Sequence, residues 1–473
     1  MRHIGIIGKF IILLQLLMSA WLVISLWSTG MIPMKMLAVI VGIVFVLLIA
    51  AYVMQVSDSL GTNLLGMILS VLFMAVAAKG ATIFMSANSM LANVGGATYK
   101  IDNMLVVVRI DDPAENLMDA KDYVFGRQTY ADQENTEKML SEIRSRVGQE
   151  ISLVEYGTVQ SEAMALLNGE IQAAVYNEAF TGVLEESIEG YSERVKVLDH
   201  FEIRTKVDTA GRSVDKPFNV YISGIDVSGP ITTTSRSDVN IIMNVNPDTK
   251  RILLTTTPRD YYVTIPGISG EQRDKLTHAG IYGVDRSMAT LENLYGVELS
   301  YYAKVNFTSL IKIVDALGGV DVESEYAFSA DGYSFSKGIN HLDGDAALAF
   351  SRERYSFSDG DNQRGKNQEA VLAAIIKKAS SPAVLASANK ILASISKSVE
   401  TNMTQDEMAQ LINMQLSDGG DWDVESQAAS GTGDTQSCYS SGSQQLYVMW
   451  PDEAVVGELS DKMRVVLEEA SRH

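Results

Sequence analysis

The sequence predicts an α/β protein whose soluble parts are carried on N-terminal membrane-spanning helices, and three observations predict it. Residues 1–80 hold three long uncharged apolar runs, strand-like runs alternate with helical stretches from Tyr99 onward, and three strand-like runs follow one another between Phe218 and Asp260. The first runs are Phe10 to Trp27, Met36 to Met54 and Leu60 to Ala78, punctuated by Lys35, Asp58 and Lys79. Each approaches the ~20 residues a helix needs to cross a bilayer. A cleaved signal peptide is the alternative for the first run, but that run exceeds the usual apolar stretch of about 7–15 residues, and two more follow. Three spans put the N-terminus and the long C-terminal part on opposite sides. Arg2 and Lys9 on one side balance Lys35 and Lys79 on the other, so basic residues do not orient the chain.

Between Tyr99 and Val207, runs such as Met104–Val108 and Ile171–Val175 alternate with helical stretches, Asn135–Val147 and Ala179–Val195, as an α/β domain requires. No glycine-rich phosphate loop accompanies them, which makes this an accessory domain. The polar stretch Asp208–Lys216, closed by Pro217, reads as a boundary. The division is residues 1–80 for the membrane helices, 99–210 for the accessory domain, 217–380 for a second α/β domain and 381–473 for a C-terminal extension. Within that extension Ala383–Val399, Gln405–Leu416 and Asp452–Ala470 have helical patterns and Leu446–Met449 is strand-like. Ser426–Gln445, rich in Ser, Gly and Gln, reads as a flexible loop.

The chain of 473 residues is acidic, with 38 Lys and Arg against 58 Asp and Glu. A net charge of -20 argues against a general nucleic-acid surface, which needs a basic field, so any phosphate site must be local. The single cysteine, Cys438, excludes an intrachain disulfide and a multi-cysteine zinc site.

Such a local site emerges from strand order. The runs are Phe218–Gly224, Val239–Val245 and Arg251–Thr257; the last two are joined by Asn246-Pro247-Asp248-Thr249-Lys250, a turn sequence. Antiparallel pairing of all three brings the end of the first, the start of the second and the end of the third to one sheet edge. Asp226, Arg236, Asp238 and Arg259 then converge, although each taken singly is an ordinary loop residue. A second cluster holds Arg352 and Arg354, which share a face only on extended backbone, and Arg364 and Gln368, which share one on a helix. An ion-pair network with Glu353, Asp359 and Asp361 is the bland explanation of these arginines. The alternative is a pyrophosphate held by arginine forks beside a divalent cation bound by Asp226 or Asp238.

At these residues the chain resembles the LytR-CpsA-Psr (LCP) family, and within it the CpsA-type members of streptococcal capsule loci. The segments that carry the likeness are FNVYISGID, SRSDVNIIMNVNPDTK, TTTPRDYYV, DKLTHAGIYG, TLENLYGVELSYYAKVNF, VDALGGVDV, HLDGDAALAFSRERYSF and DNQRGKNQEAV. The resemblance implies an α/β/α sandwich with a central mixed sheet and an apolar pocket for a polyprenyl chain. It implies a multi-pass cell-membrane protein with extracellular soluble domains. The implied activity is transfer of a capsular glycan from polyprenyl pyrophosphate to peptidoglycan through a phosphodiester, with other capsule assembly proteins as partners and no nucleic acid. Asp226 and Asp238 resemble the carboxylates that organise Mg²⁺, for which Mn²⁺ is the substitute. Arg236, Arg259, Lys275, Arg352, Arg354, Arg364 and Gln368 resemble the residues around the pyrophosphate. Asp238 and Arg259 are expected to carry the largest share of catalysis.

Three other readings compete: a membrane-bound regulator of capsule expression, a lipid-pyrophosphate hydrolase and a non-catalytic binding module. The short segments on the far side of the membrane are too small for a DNA-reading helix-turn-helix. His278 is read as structural because no spacing is seen to supply a carboxylate to orient it. Leu317-Gly318-Gly319-Val320 lacks the lysine and serine of a phosphate loop and reads as a helix-to-strand turn.

Overall fold

A computed structural model describes residues 2–94, 99–206, 213–225, 231, 234–357, 361–381, 384 and 399–470. The boundary at 208–216 therefore lies largely outside the described residues, as do Asp226, Asp359 and nearly all of the helical pattern at 383–399. The chain divides into two compact units. One comprises Met1–Gly96, Ile376–Lys397 and Met403–Asp421, the other Ala97–Ile375, Ser398–Asn402 and Trp422–His473.

The first unit contains α1 (Arg2–Ser28), α2 (Met34–Val56) and α3 (Leu60–Val94). All three are long and apolar enough to cross a membrane. The third helix does not stop at the end of its apolar run; it continues through Lys79 to Val94.

The second unit holds two large sheets. The accessory region builds the first from β1 (Tyr99–Arg109), β2 (Val124–Gln128), β3 (Ser152–Tyr156), β4 (Ala173–Asn177) and β5 (Val195–Lys206), in the order β3-β2-β4-β1-β5. Strand side chains alternate between faces. Met104, Val106 and Val108 accordingly enter one core with α4 (Gln133–Val147), while Leu105 and Val107 enter another with α5 (Val159–Asn168). The stretch expected as one helix over 179–195 is broken into α6 (Thr181–Ser187) and α7 (Tyr191–Arg194), because Gly190 takes a left-handed conformation at φ 62° between them.

The second sheet starts with β6 (Phe218–Ile225), β7 (Val239–Asn246) and β8 (Arg251–Thr256), antiparallel throughout as the turn sequence requires. A short ribbon of β9 (Tyr262–Val263) and β10 (Asp274–Lys275) leads into α8 (Leu276–Ala279) and α9 (Val284–Tyr295). Then come β11 (Tyr301–Asn306), parallel to β6, and α10 (Phe307–Ala316). Gly318 and Gly319, at φ 74° and 86°, make the helix-to-strand turn into β12 (Val320–Ser324). Beyond it lie β13 (Phe328–Ala330), β14 (Tyr333–Phe335), β15 (Gly338–Leu342), α11 (Gly344–Arg352) and α12 (Asp361–Ala379).

The C-terminal segment is woven into this sheet. It supplies both edges, β16 (Val399–Thr401) beside β11 and β17 (Asp423–Ala428) beside β8, completing a mixed sheet in the order β16-β11-β6-β7-β8-β17. Pairing satisfies backbone groups that an open edge would leave exposed. Between these strands α13 (Gln405–Asp418) belongs to the first unit, where Ala409 packs on Met31, Ala87 and Leu91. The Ser/Gly-rich segment read as a flexible loop is instead ordered as the end of β17, β18 (Gly431–Ser437), a 3-10 turn and the approach to β19 (Gln445–Pro451). Its partner strand explains the difference. Leu446 and Val448 of β19 bury themselves with Tyr262 and Cys438, and β18 is recruited through its backbone.

Helices cover both faces of the mixed sheet. Tyr221, Ile242 and Leu253 pack against α9 and the final helix α14 (Glu453–Glu468) through Leu291, Tyr295, Leu459 and Met463. Their neighbours Ile222 and Ile241 point the other way, toward α10 and α12.

Candidate functional site

Asp238 stands where the expected sheet edge placed it. Its N–H donates to the Gly224 carbonyl at 2.8 Å, which ties the start of β7 to the end of β6. Ser237 N–H donates to Thr277 O at 3.1 Å and Thr277 N–H to Arg259 O at 2.8 Å, so the loops before β7 and after β8 are knitted to α8. Gly280 makes this approach possible, since a Cβ there would lie 2.5 Å from the Ser235 carbonyl oxygen and 2.7 Å from Ser237 N. Only glycine fits such backbone contact. The Asp238 carboxylate then accepts from Arg259 Nη1 at 2.9 Å and from Thr277 Oγ1 at 3.2 Å, both through Oδ1.

Two cavities meet at this carboxylate. A small polar one is lined by Asp238, Thr257, Arg259, Arg364 and Gln368. An apolar one of ≈ 110 Å³ lies between the sheet and helices α10 and α12, lined by Ile222, Ile241, Val305, Leu310, Val371 and Leu372. Asp238, Val239 and Gln368 belong to both walls. Arg364 and Gln368 reach the polar cavity from successive turns of α12, as their spacing requires. On the neighbouring position Glu369 is buried and accepts from Thr256 N–H at 3.0 Å. Burial pushes its carboxyl up to about 8.

The remaining predicted cations divide. Arg352 ends α11 with its guanidinium 4.5 Å from the Phe307 ring centroid, at the rim of the apolar cavity. Arg354 instead lies over Tyr355, itself almost wholly exposed, so the two arginines have different surroundings. Arg236 and Lys275 meet a residue that sequence reasoning missed. Glu186, on α6 of the accessory region, is hydrogen-bonded to Arg236 and stands 3.8 Å from Lys275 Nζ. Lys275 also pairs with Asp260 at 3.2 Å, and Asp260 lies 3.7 Å from Arg259 Nε. Charges therefore alternate along Asp238, Arg259, Asp260, Lys275, Glu186 and Arg236, linking the polar cavity to the accessory region.

His278 requires a correction. Its Nδ1 lies 2.6 Å from Asp274 Oδ1, and both side chains are fully buried. The i, i+4 spacing of Asp274 and His278 was the available signal, and it does supply an orienting carboxylate. Asp274 is held in turn by Ser440, whose N–H donates to it at 2.9 Å and whose hydroxyl donates at 2.5 Å. His278 Nε2 faces Glu186 at 4.0 Å. The histidine remains a buried brace between α8, the C-terminal hairpin and the accessory region. Among the described residues no group of three His, Cys, Asp or Glu side chains has the geometry to hold a metal ion by itself.

A mixed sheet is covered by helices on both faces, and a cavity lined by Asp238, Arg259, Arg364 and Gln368 adjoins an apolar one between the sheet and α10 and α12. The chain belongs to the LytR_cpsA_psr family, whose model matches residues 185–454, more than half of its length. A Bacillus mycoides polyisoprenyl-teichoic acid–peptidoglycan teichoic acid transferase, TagU, is 39% identical over 226 residues, covering 46% of this chain and 73% of the relative. The Enterococcus faecalis protein of the same name is 34% identical, over 44% of this chain and 69% of its own length. Among solved structures, TagV of B. subtilis aligns over 54% of this chain and 98% of its own at 26% identity, with a TM-score of 0.46.

Proposed function

We propose that the protein transfers a glycopolymer from a polyprenyl pyrophosphate to a hydroxyl of peptidoglycan, releasing polyprenyl phosphate. The observation that carries this reading is the pair of cavities sharing Asp238, Val239 and Gln368. One offers cations and hydrogen bonds to an anion and the other is walled mainly by hydrocarbon, with Asp238, Arg352 and Gln368 also on its lining, as a lipid pyrophosphate requires of its two parts. The relatives' names supply teichoic acid and peptidoglycan as the substrates of those proteins. For this chain a capsular polysaccharide is the proposed cargo. The membrane-spanning helices are proposed to hold the soluble part outside the cell, where peptidoglycan lies.

In the proposed step the acceptor oxygen attacks the phosphorus that carries the glycan. The bond from that phosphorus to the oxygen of the departing polyprenyl phosphate breaks, and a carboxylate takes the acceptor proton. Arg259, Arg364 and Gln368 line the polar cavity where negative charge would develop, and fixed donors there stabilise it without reorganisation. Arg236, Lys275, Arg352 and Arg354 are proposed as further contacts of the pyrophosphate, Arg352 from the rim of the apolar cavity and Arg236 and Lys275 from their pairing with Glu186. Asp238 Oδ1 is committed to Arg259 and Thr277, which leaves Oδ2 as a hard oxygen at the junction of the cavities. That donor fits one position of Mg²⁺, with Asp226, the residue after β6, proposed as a second; the ion would neutralise phosphate charge.

The test is incubation of the purified full-length protein with a labelled lipid-pyrophosphate glycan, Mg²⁺ and peptidoglycan. Label is expected on the wall through a phosphodiester, with polyprenyl phosphate released in equal amount. Release of free glycan phosphate with no label on the wall would instead make the protein a hydrolase.

A further inference from the structure

A third cavity lies outside the site just described, between the accessory region and the C-terminal hairpin. This open groove of ≈ 680 Å³ is walled by Tyr130, Arg273, Gln436, Tyr439 and Trp450, with Glu271 and Gln272 also on its lining. Its size falls in the range of roughly 300–1,000 Å³ typical of ligand pockets. The aromatic walls are held by specific contacts. Tyr130 and Tyr439 have ring centroids 4.3 Å apart, Tyr439 OH donates to Tyr130 O at 3.1 Å, and Tyr130 OH donates to Gln272 Oε1 at 2.6 Å. Trp450 stands edge-on to Tyr262 and donates its Nε1–H to Asp434 at 2.9 Å. Arg273 donates to Tyr262 O at 2.8 Å and lies 5.1 Å from the Trp450 ring, so its guanidinium braces the wall.

What the groove offers a ligand is flat aromatic surface edged by amides and one exposed carboxylate, without a surplus of cations. Anions and purely apolar chains are poorly served by that combination. It suits a ring with apolar C–H faces and a rim of hydroxyl and amide groups. Position matters as well. Arg273 is two residues from Lys275, about 7 Å along an extended chain, so the groove begins beside the ladder of charges that ends at Asp238.

We propose that this groove is a saccharide-binding subsite that aligns sugar units with the transfer centre. The proposal rests on the transferase reading and deepens it. Its sugars come either from the lipid-linked donor or from the glycan strand of the acceptor, and one experiment separates the sources.

Full-length protein in nanodiscs is titrated calorimetrically with farnesyl pyrophosphate, with farnesyl pyrophosphate carrying a chitobiosyl unit, and with free chitotetraose. Tyr130→Ala and Gln436→Ala are compared with the wild type, with thermal unfolding followed in parallel. The expected result is a loss of about fivefold or more in affinity for a saccharide probe, with farnesyl pyrophosphate affinity unchanged within about twofold. A loss confined to the chitobiosyl lipid assigns the groove to the donor, and a loss confined to chitotetraose assigns it to the acceptor. If neither variant alters the binding of either saccharide, or if the wild type binds chitotetraose not at all and both lipids equally, the groove is no sugar site. Failure of farnesyl pyrophosphate to bind would overturn the transferase reading instead, because that probe carries no sugar for the groove to hold.

Discussion

The two large sheets of the soluble part solve the same packing problem differently. In the accessory sheet both faces are closed, with Ala174 and Tyr176 sealed under α5 and Ala173 and Val175 under α4. In the mixed sheet Tyr221, Ile242 and Leu253 are sealed in the same manner, but the face carrying Ile222 and Ile241 looks into a cavity. Interiors are normally filled to crystal-like density, so apolar walls left apart beside Arg352 and Gln368 are where the proposed lipid would take the place of core. Even the buried acids match. Glu162 accepts from Val175 N–H at 2.7 Å in one sheet and Glu369 from Thr256 N–H at 3.0 Å in the other, and burial pushes each up to about 8. Only Glu369 has neighbours, Thr256 and Gln368, that line the polar cavity.

The largest expected effect separates the open sheet from the closed one by chemistry. Asp238→Ala or Arg259→Ala should lower the transfer rate by roughly 10²–10³-fold, more than the accompanying loss of stability accounts for, because each removes charge from where phosphate charge is proposed to develop. An equal loss from Glu162→Gln would erase the distinction between the sheets.

Packing provides the next test. Ala174→Leu, in the closed core, should destabilise the protein by about 1–3 kcal/mol in chemical denaturation. Leu372→Phe, facing the cavity, should cost little stability and instead weaken binding of the lipid probe. Equal stability losses at both positions would mean that the cavity is ordinary core.

Titration distinguishes the two acids. Each folded carboxyl titrates near 8, well above its ordinary 4.5, so folding holds it protonated between those values. The contribution of each group to stability is full below about pH 4.5 and declines as pH rises toward 8, by at most about 1.4 kcal/mol per pH unit. Glu162→Gln and Glu369→Gln should each flatten that decline, measured by denaturation across the window. Only Glu369→Gln should also change the pH profile of transfer.

The smallest effect concerns the contact between the regions. Glu186→Gln removes a negative charge beside Arg236 and Lys275 and should tighten pyrophosphate binding a few-fold, read by calorimetry at low salt. Unchanged affinity would assign those two cations to the domain contact rather than to the phosphate.

The convergence of Asp238 and Arg259 was legible because a Pro-Asp turn sets antiparallel pairing and alternation then sets the faces. The helical pair Arg364 and Gln368 was legible through its i, i+4 spacing. Glu186 was not, since it arrives from a helix of the accessory region and nothing local in that helix marks a partner at Arg236. Gly431–Ser437 hides as a strand because its own side chains carry no apolar pattern; its partner's do. The same holds for β16 and β17, whose places at opposite edges follow from long-range pairing. Asp274 and His278 were visible by spacing but stand across a strand-to-helix junction, where a helical rule is easily overlooked.

The central claim is that the open face of the mixed sheet holds a polyprenyl chain whose pyrophosphate lies at Asp238. A polyprenyl pyrophosphate with a photoreactive group along its tail, cross-linked to the full-length protein and mapped by mass spectrometry, tests it most directly. Labels are expected on the cavity wall at Val305, Leu310, Val371 and Leu372, and excess unlabelled lipid should suppress them. Labels confined to α1–α3 or to the accessory sheet would contradict the account.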